Sequence, residues 1–269
     1  MATESEGRVL LQGTGRALGG ALLFASPIFM TMEVWQLGLV VPRYRLALLT
    51  LATVVLVLLL TRFFGATTAR EGWRGIVTDA GIAVVMAAVA ATLVLTALAV
   101  LSPLPEWRDA LSVLAIELLP AAVGASYARG QLGRTARPSR VTGYADELLL
   151  MVAGAVVFSA NIAPTEEVVL LAARTGPWHA LALVGLSLAL MHGFVYSVGF
   201  KGQEAPTGGV LRTFVVFTVV GYVLTLAVSA YLLWTFGRLD GTGAGAALTQ
   251  CVVLALPGSL GPAAARLVL

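Results

Sequence analysis

The chain has 269 residues, of which 58% are hydrophobic and only 12% charged, with a formal net charge of +3. That balance, together with a strongly positive mean hydropathy, excludes an ordinary soluble domain and marks an integral membrane protein. Cys251 is the single cysteine, which excludes an internal disulfide and a thiolate metal cage.

Residues 1–16 are polar and read as a cytoplasmic tail. The first apolar stretch is too long for a signal peptide and lacks a small-residue cleavage site. Crossing a bilayer takes about 20 helical residues, and the sequence predicts eight such stretches at 17–41, 46–64, 76–101, 109–128, 147–165, 178–200, 211–236 and 245–265. The expected fold is all-α and polytopic. The spans fall into a four-helix repeat over 17–129, a basic cytoplasmic linker over 130–143 and a second four-helix repeat over 144–269.

Lysines and arginines in short loops stay cytoplasmic. With eight spans, twelve of the 17 fall on one side and five (Arg43, Arg45, Arg108, Arg174 and Arg238) on the other, which places both termini in the cytoplasm. The net charge is therefore topological, and no nucleic-acid partner is implied.

Two segments of the chain repeat each other. Residues 20–34, GALLFASPIFMTMEV, align without gaps on residues 154–168, GAVVFSANIAPTEEV, with seven of fifteen positions identical. Phe24/Phe158, Ile28/Ile162, Thr31/Thr165 and Glu33/Glu167 carry the weight, because Gly, Ala and Val matches come cheaply in so apolar a chain. Leu119, Pro120, Gly124, Ala128 and Arg129 recur as Leu256, Pro257, Gly261, Ala265 and Arg266, offset by 137. Two units of four spans enter a membrane in the same sense, so the expected repeats are parallel, with Glu33 and Glu167 at one depth. Small residues crowd spans three, four and eight and suit close helix packing.

Pro27, and Asn161 with Pro164, fall inside spans one and five just before the shared Thr and Glu. A proline removes a backbone bond and frees carbonyls, so both copies are predicted to break or bend there. A carboxylate near the bilayer centre costs several kcal/mol and needs an explanation. Glu33 and Glu167 are thus the leading candidates for ion binding or translocation, with Thr31, Thr165, Asn161 and Glu166 beside them. Oxygen donors of this kind suit a proton or a hard cation such as Na⁺, Ca²⁺ or Mg²⁺. Glu117, whose counterpart is Leu254, and His192 are secondary proton or polar groups, and either could bond the other. Asp79, Asp146 and Glu147 read as helix-start carboxylates. No resident metal is assigned and no cofactor motif is found.

The segment from Asn161 to Glu167, together with Met30 to Trp35, resembles a family of bacterial multipass membrane proteins of unknown function over nearly the whole length. The resemblance implies an integral inner-membrane protein carrying two acidic segments. Asn161, Pro164, Thr165 and Glu166 are also similar in residue type to ion-binding segments of the calcium/cation exchanger superfamily, whose repeats are inverted. Glu166-Glu167 and His192 loosely resemble the glutamate intramembrane proteases, which carry an arginine close to the glutamate pair and a further histidine that this chain lacks. Three functions therefore stand: a cation or proton channel or transporter, a protease-like enzyme, and a non-catalytic membrane scaffold. The implied partners are the lipid bilayer, a small cation or proton, and a second copy of the chain.

Overall fold

The structure, a computed structural model, describes residues 2–64, 72–102, 104, 106–131, 143–197 and 210–268. Among these the chain is all helical, without a strand. It divides into two compact units, Met1–Thr142 and Gly143–Leu269.

In the first unit α1 (Ala2–Phe29) is followed by the short α2 (Met32–Val40), α3 (Arg43–Phe64), α4 (Trp73–Ala97) and α5 (Trp107–Gln131). Pro27 lies in the last turn of α1. With the ladder interrupted there, the chain tightens: Met30 N–H donates to Pro27 O at 3.3 Å and Thr31 N–H to Ile28 O at 3.0 Å. Helix α2 then departs at 85° from Leu11–Phe29. The predicted single span over 17–41 is therefore two helices at nearly a right angle.

Helix α5 is the centre of this unit and touches α1, α2, α3 and α4. Its composition explains how. Ala121, Ala122 and Ala125 are fully buried, and a side chain at Gly124 would meet Gly20 O at 2.5 Å and Phe24 Cβ at 2.6 Å. The α1 and α5 backbones thus touch at a glycine pair, the close approach that drives helix association where lipid removes the hydrophobic incentive. Helix α2 crosses the same helix at Gly38, where an added Cβ would lie 2.8 Å from Val113 Cα.

The second unit runs α6 (Tyr144–Ala160), α7 (Glu167–Arg174), α8 (Pro177–Ser197), the single turn α9 (Val210–Thr213), a π-helical stretch Phe214–Val219, α10 (Val220–Thr235) and α11 (Ala244–Val268). The backbone N–H of Gly143 donates to the Asp146 carboxylate at 3.2 Å and starts α6, so Asp146 is a helix-start carboxylate as expected. Pro177 opens α8, where a missing N–H is harmless, and α8 leaves α7 at 119°. Helix α11 is the central helix and touches α6, α7, α8 and α10. A side chain at Gly261 would collide with the Gly154 carbonyl, and one at Gly258 would meet Ser159 Oγ at 2.5 Å.

Among the described residues, five helices are long and apolar enough to cross a membrane on their own, and seven segments qualify if each bent pair counts once. The fifth expected span is the difference. Its predicted stretch over 147–165 is helical only as far as Ala160, and α6 has 17 residues, because residues 161–166 turn instead of continuing the helix. The linker 130–143 lies mostly outside the described residues.

Candidate functional site

The acidic residues of the two bends sit at helix starts. Glu33 is half-buried in the first turn of α2. Glu167 opens α7 and is exposed, as is Glu166 before it. Carboxylates there are favoured by the partial positive charge of the helix N-terminus.

Several carbonyls at these bends are engaged by the chain's own side-chain donors. In the first unit Thr31 Oγ1 donates to Pro27 O at 2.8 Å and Trp35 Nε1 to Phe29 O at 3.0 Å. In the second, Asn161 Nδ2 donates to Val157 O at 2.7 Å and Thr165 Oγ1 to Ile162 O at 2.8 Å. Arg238, in the turn between α10 and α11, donates through Nη2 to the Pro164 carbonyl and lies 3.8 Å from Glu166 through Nη1. Thr31, Thr165 and Asn161 thus each donate to a carbonyl of their own corner. Side-chain hydrogen bonds of this kind help the polar backbone of a bend to be tolerated. Asn161 Oδ1 is the exception, buried without a hydrogen-bond partner.

Glu117 is of another kind. It is fully buried, ten residues into the 25-residue α5, and neither carboxyl oxygen has a hydrogen-bond partner. Its register says where it faces. Val113 lies one turn before it and Gly124 two turns after it on the same side of α5, and these are the points where α2 and α1 cross. Glu117 therefore lies on the stretch of α5 turned towards the α1–α2 bend. Ile28, Phe29 and Val34 around that bend are buried at 1%, 1% and 0% exposure, so that side of the unit is closed to solvent.

His192 has found partners in its own unit. Its Nδ1 is 3.0 Å from Thr218 Oγ1, and its ring stacks edge-on against Phe214 at 5.1 Å. Both partners come from the π-helical stretch, a wide turn often found at functional positions. Thr218 is fully buried.

Three features escaped the sequence reading. Asp79 is no helix-start carboxylate: it lies two turns into α4, buried, and accepts from Arg129 Nη2 at 2.6 Å. Fifty residues separate the two, and no local pattern announces such a pair. The second is Arg238, placed in a loop for its topology alone. The third is a polar interior in the second unit. Thr225 and Ser229 on α10 and Ser159 on α6 are fully buried, with Gln250 on α11 at 4% exposure. Ser159 Oγ, Ser229 Oγ and Gln250 Oε1 have no hydrogen-bond partner. Tyr222, Thr225 and Ser229 fall at i, i+3 and i+7 of an otherwise apolar helix, a stripe that periodicity could have revealed. Among the described residues no cluster of three or more His, Cys, Asp or Glu side chains could hold a metal ion.

Long apolar helices that meet through glycines and enclose isolated polar groups define a multipass integral membrane protein. The chain belongs to the family described as "Putative integral membrane protein (DUF2391)", whose model matches residues 13–269. No match is found among curated proteins or among solved structures.

Proposed function

We propose that this protein conducts or transports a small cation or a proton, and that Glu117 is the group that binds it within the first unit. Glu33 and Glu167, with Glu166, are then the acidic residues that lead to and from the interior at the two bends. Thr31, Thr165 and Asn161 hold those bends in shape. The observation that carries the reading is the Glu117 carboxyl, fully buried and with neither oxygen bonded. A bare carboxylate in such surroundings is prohibitively costly, so the group must be neutralised by a proton or a bound cation. An ionisable residue inside a membrane helix is a functional candidate for that reason. The unpartnered oxygens of Ser159, Ser229 and Gln250 support a polar path in the second unit.

A duplicated architecture belongs to this reading and is supported by the helix boundaries. Helices α3 and α8 begin at Arg43 and Pro177, 134 residues apart, and α5 and α11 at Trp107 and Ala244, 137 apart. Those are the offsets of the two sequence echoes. The glycine contacts fall on matching pairs as well, Gly20 with Gly124 in one unit and Gly154 with Gly261 in the other. An eight-span count, with α6 as a short span, cytoplasmic termini and a bacterial inner-membrane location complete the proposal.

The test is ion flux into proteoliposomes loaded with pH-, Na⁺- and Ca²⁺-sensitive dyes, comparing wild type with Glu117→Gln. Flux that Glu117→Gln removes while the fold is retained supports the reading, and absence of flux from wild type refutes it for those ions. One observation favours a second reading, a non-catalytic scaffold: both bends are closed by their own side chains. In that case Glu33→Gln and Glu167→Gln alter stability and no flux exists to lose.

A further inference from the structure

A cavity of about 350 Å³ opens between α3 and α5 of the first unit, and its lining changes character with depth. Arg43 and Arg108 stand at its mouth, and Leu46, Thr50, Leu111 and Ser112 line it further in. The two helices start at the same end, as the 3.9 Å approach of Arg43 Nη2 to Asp109 Oδ1 requires. From Arg43 to Thr50 is seven residues, so the cavity extends about 10 Å down the helices at 1.5 Å per residue.

The mouth carries the residue types that favour the level of lipid headgroups. Tyr44 is 57% and Trp107 69% exposed, neighbouring the two arginines in sequence, and exposed Tyr and Trp beside arginine mark the membrane–water interface. Deeper down, Leu48, Leu51 and Leu111 are exposed on the same stretch of α3 and α5, as a surface against acyl chains should be.

We propose that this cleft binds an anionic phospholipid, its phosphate between Arg43 and Arg108 and the start of one acyl chain against Leu46 and Leu111. Charge supports the assignment. The Arg108 guanidinium lies over the Trp107 ring at 5.5 Å and makes no ion pair among the described residues. Arg43 has only the long contact to Asp109, with its side chain 64% exposed, a pairing weak enough for a phosphate to displace. Three arginines (43, 45 and 108) face two carboxylates (Glu106 and Asp109) over these helix starts, so the neighbourhood keeps a positive balance. Thr50 and Ser112 already donate to Leu46 O at 2.9 Å and Arg108 O at 3.0 Å, which leaves recognition of the anion to the guanidiniums. Arginine is the side chain best shaped for that task. The assignment is independent of ion transport and survives its failure.

The test is native mass spectrometry of the full chain, released from neutral detergent after incubation with phosphatidylglycerol or phosphatidylcholine of the same acyl composition. Wild type is expected to retain phosphatidylglycerol preferentially, and Arg43→Gln with Arg108→Gln to weaken it roughly tenfold or more. Leu111→Trp, which fills the cleft and keeps both arginines, is expected to lose the lipid as well. Equal retention of the two lipids by wild type overturns the proposal, as does undiminished phosphatidylglycerol on either variant. Displacement of the lipid by inorganic phosphate alone would reassign the site to a free anion and overturn it too. Should the double variant fail to fold, Leu111→Trp and the phosphate competition still decide.

Discussion

Replacing Gly124 by alanine should separate the two most intimately packed helices of the first unit. The added methyl would stand 2.5 Å from the Gly20 carbonyl oxygen and 2.6 Å from Phe24 Cβ, against roughly 3.4 Å or more for ordinary contact between such atoms. Neither obstacle is the free end of a flexible chain, so α1 and α5 must move apart by about 1 Å. Overpacking of this kind costs about 1–3 kcal/mol, partly offset by alanine's better helix propensity of up to about 1 kcal/mol. The net loss expected is about 1–2 kcal/mol, a factor of roughly 5–30 in the folding equilibrium. The control is one residue from the partner glycine: nothing lies within 4 Å of a side chain at Gly19, so Gly19→Ala should be neutral or stabilising. Denaturant unfolding in mild detergent, followed by tryptophan fluorescence, reads both. Gly124→Ala as stable as Gly19→Ala would refute the claim that the α1–α5 contact is a glycine-to-backbone contact.

Three further outcomes follow from the same geometry. Asp79→Asn should destabilise the first unit by about 1–3 kcal/mol, because it removes the charged acceptor of the buried Arg129 Nη2 bond; Asp79→Asn combined with Arg129→Gln should cost less than the sum of the singles in the same unfolding assay, and strict additivity would contradict the pair. Arg238→Gln removes the clamp on the Pro164 carbonyl and should speed hydrogen exchange in residues 161–166, leaving α3 and α4 unchanged; unaltered exchange there would show that the bend holds without it. Thr31→Val should cost about 1 kcal/mol, the worth of one intramolecular hydrogen bond, and no loss would show that Pro27 O is satisfied without the hydroxyl.

The parts of the fold legible in the sequence were those written in local pattern. Apolar length located the long helices α3, α4, α5 and α11, and Pro27 and Pro164 located both bends to within a few residues. Gly124 and Gly261 stood out as matched positions, but only packing shows that each meets a second glycine. The angles were not legible. The 119° turn between α7 and α8 arises at Gly176 and Pro177, and a loop of ordinary composition says nothing of direction. Corner chemistry was not legible for a physical reason: a hydroxyl or amide beside a broken helix bonds a nearby backbone carbonyl, as Thr31, Asn161 and Thr165 do, and which carbonyl depends on how the corner folds. Glu117 was visible as an acid in an apolar span, while its full burial without a bonded partner depends on how the helices of the first unit pack. The Asp79–Arg129 pair was invisible altogether, since it joins two helices through tertiary packing alone.

The central claim is that Glu117 binds a proton or small cation in transit, and ion flux into dye-loaded proteoliposomes bears on it most directly. Wild type should carry an inward flux of at least one of H⁺, Na⁺ or Ca²⁺ under an imposed gradient, and a folded Glu117→Gln variant should carry none. Wild-type flux that persists undiminished in Glu117→Gln, or no flux from wild type under either membrane polarity or a pH gradient, would contradict it.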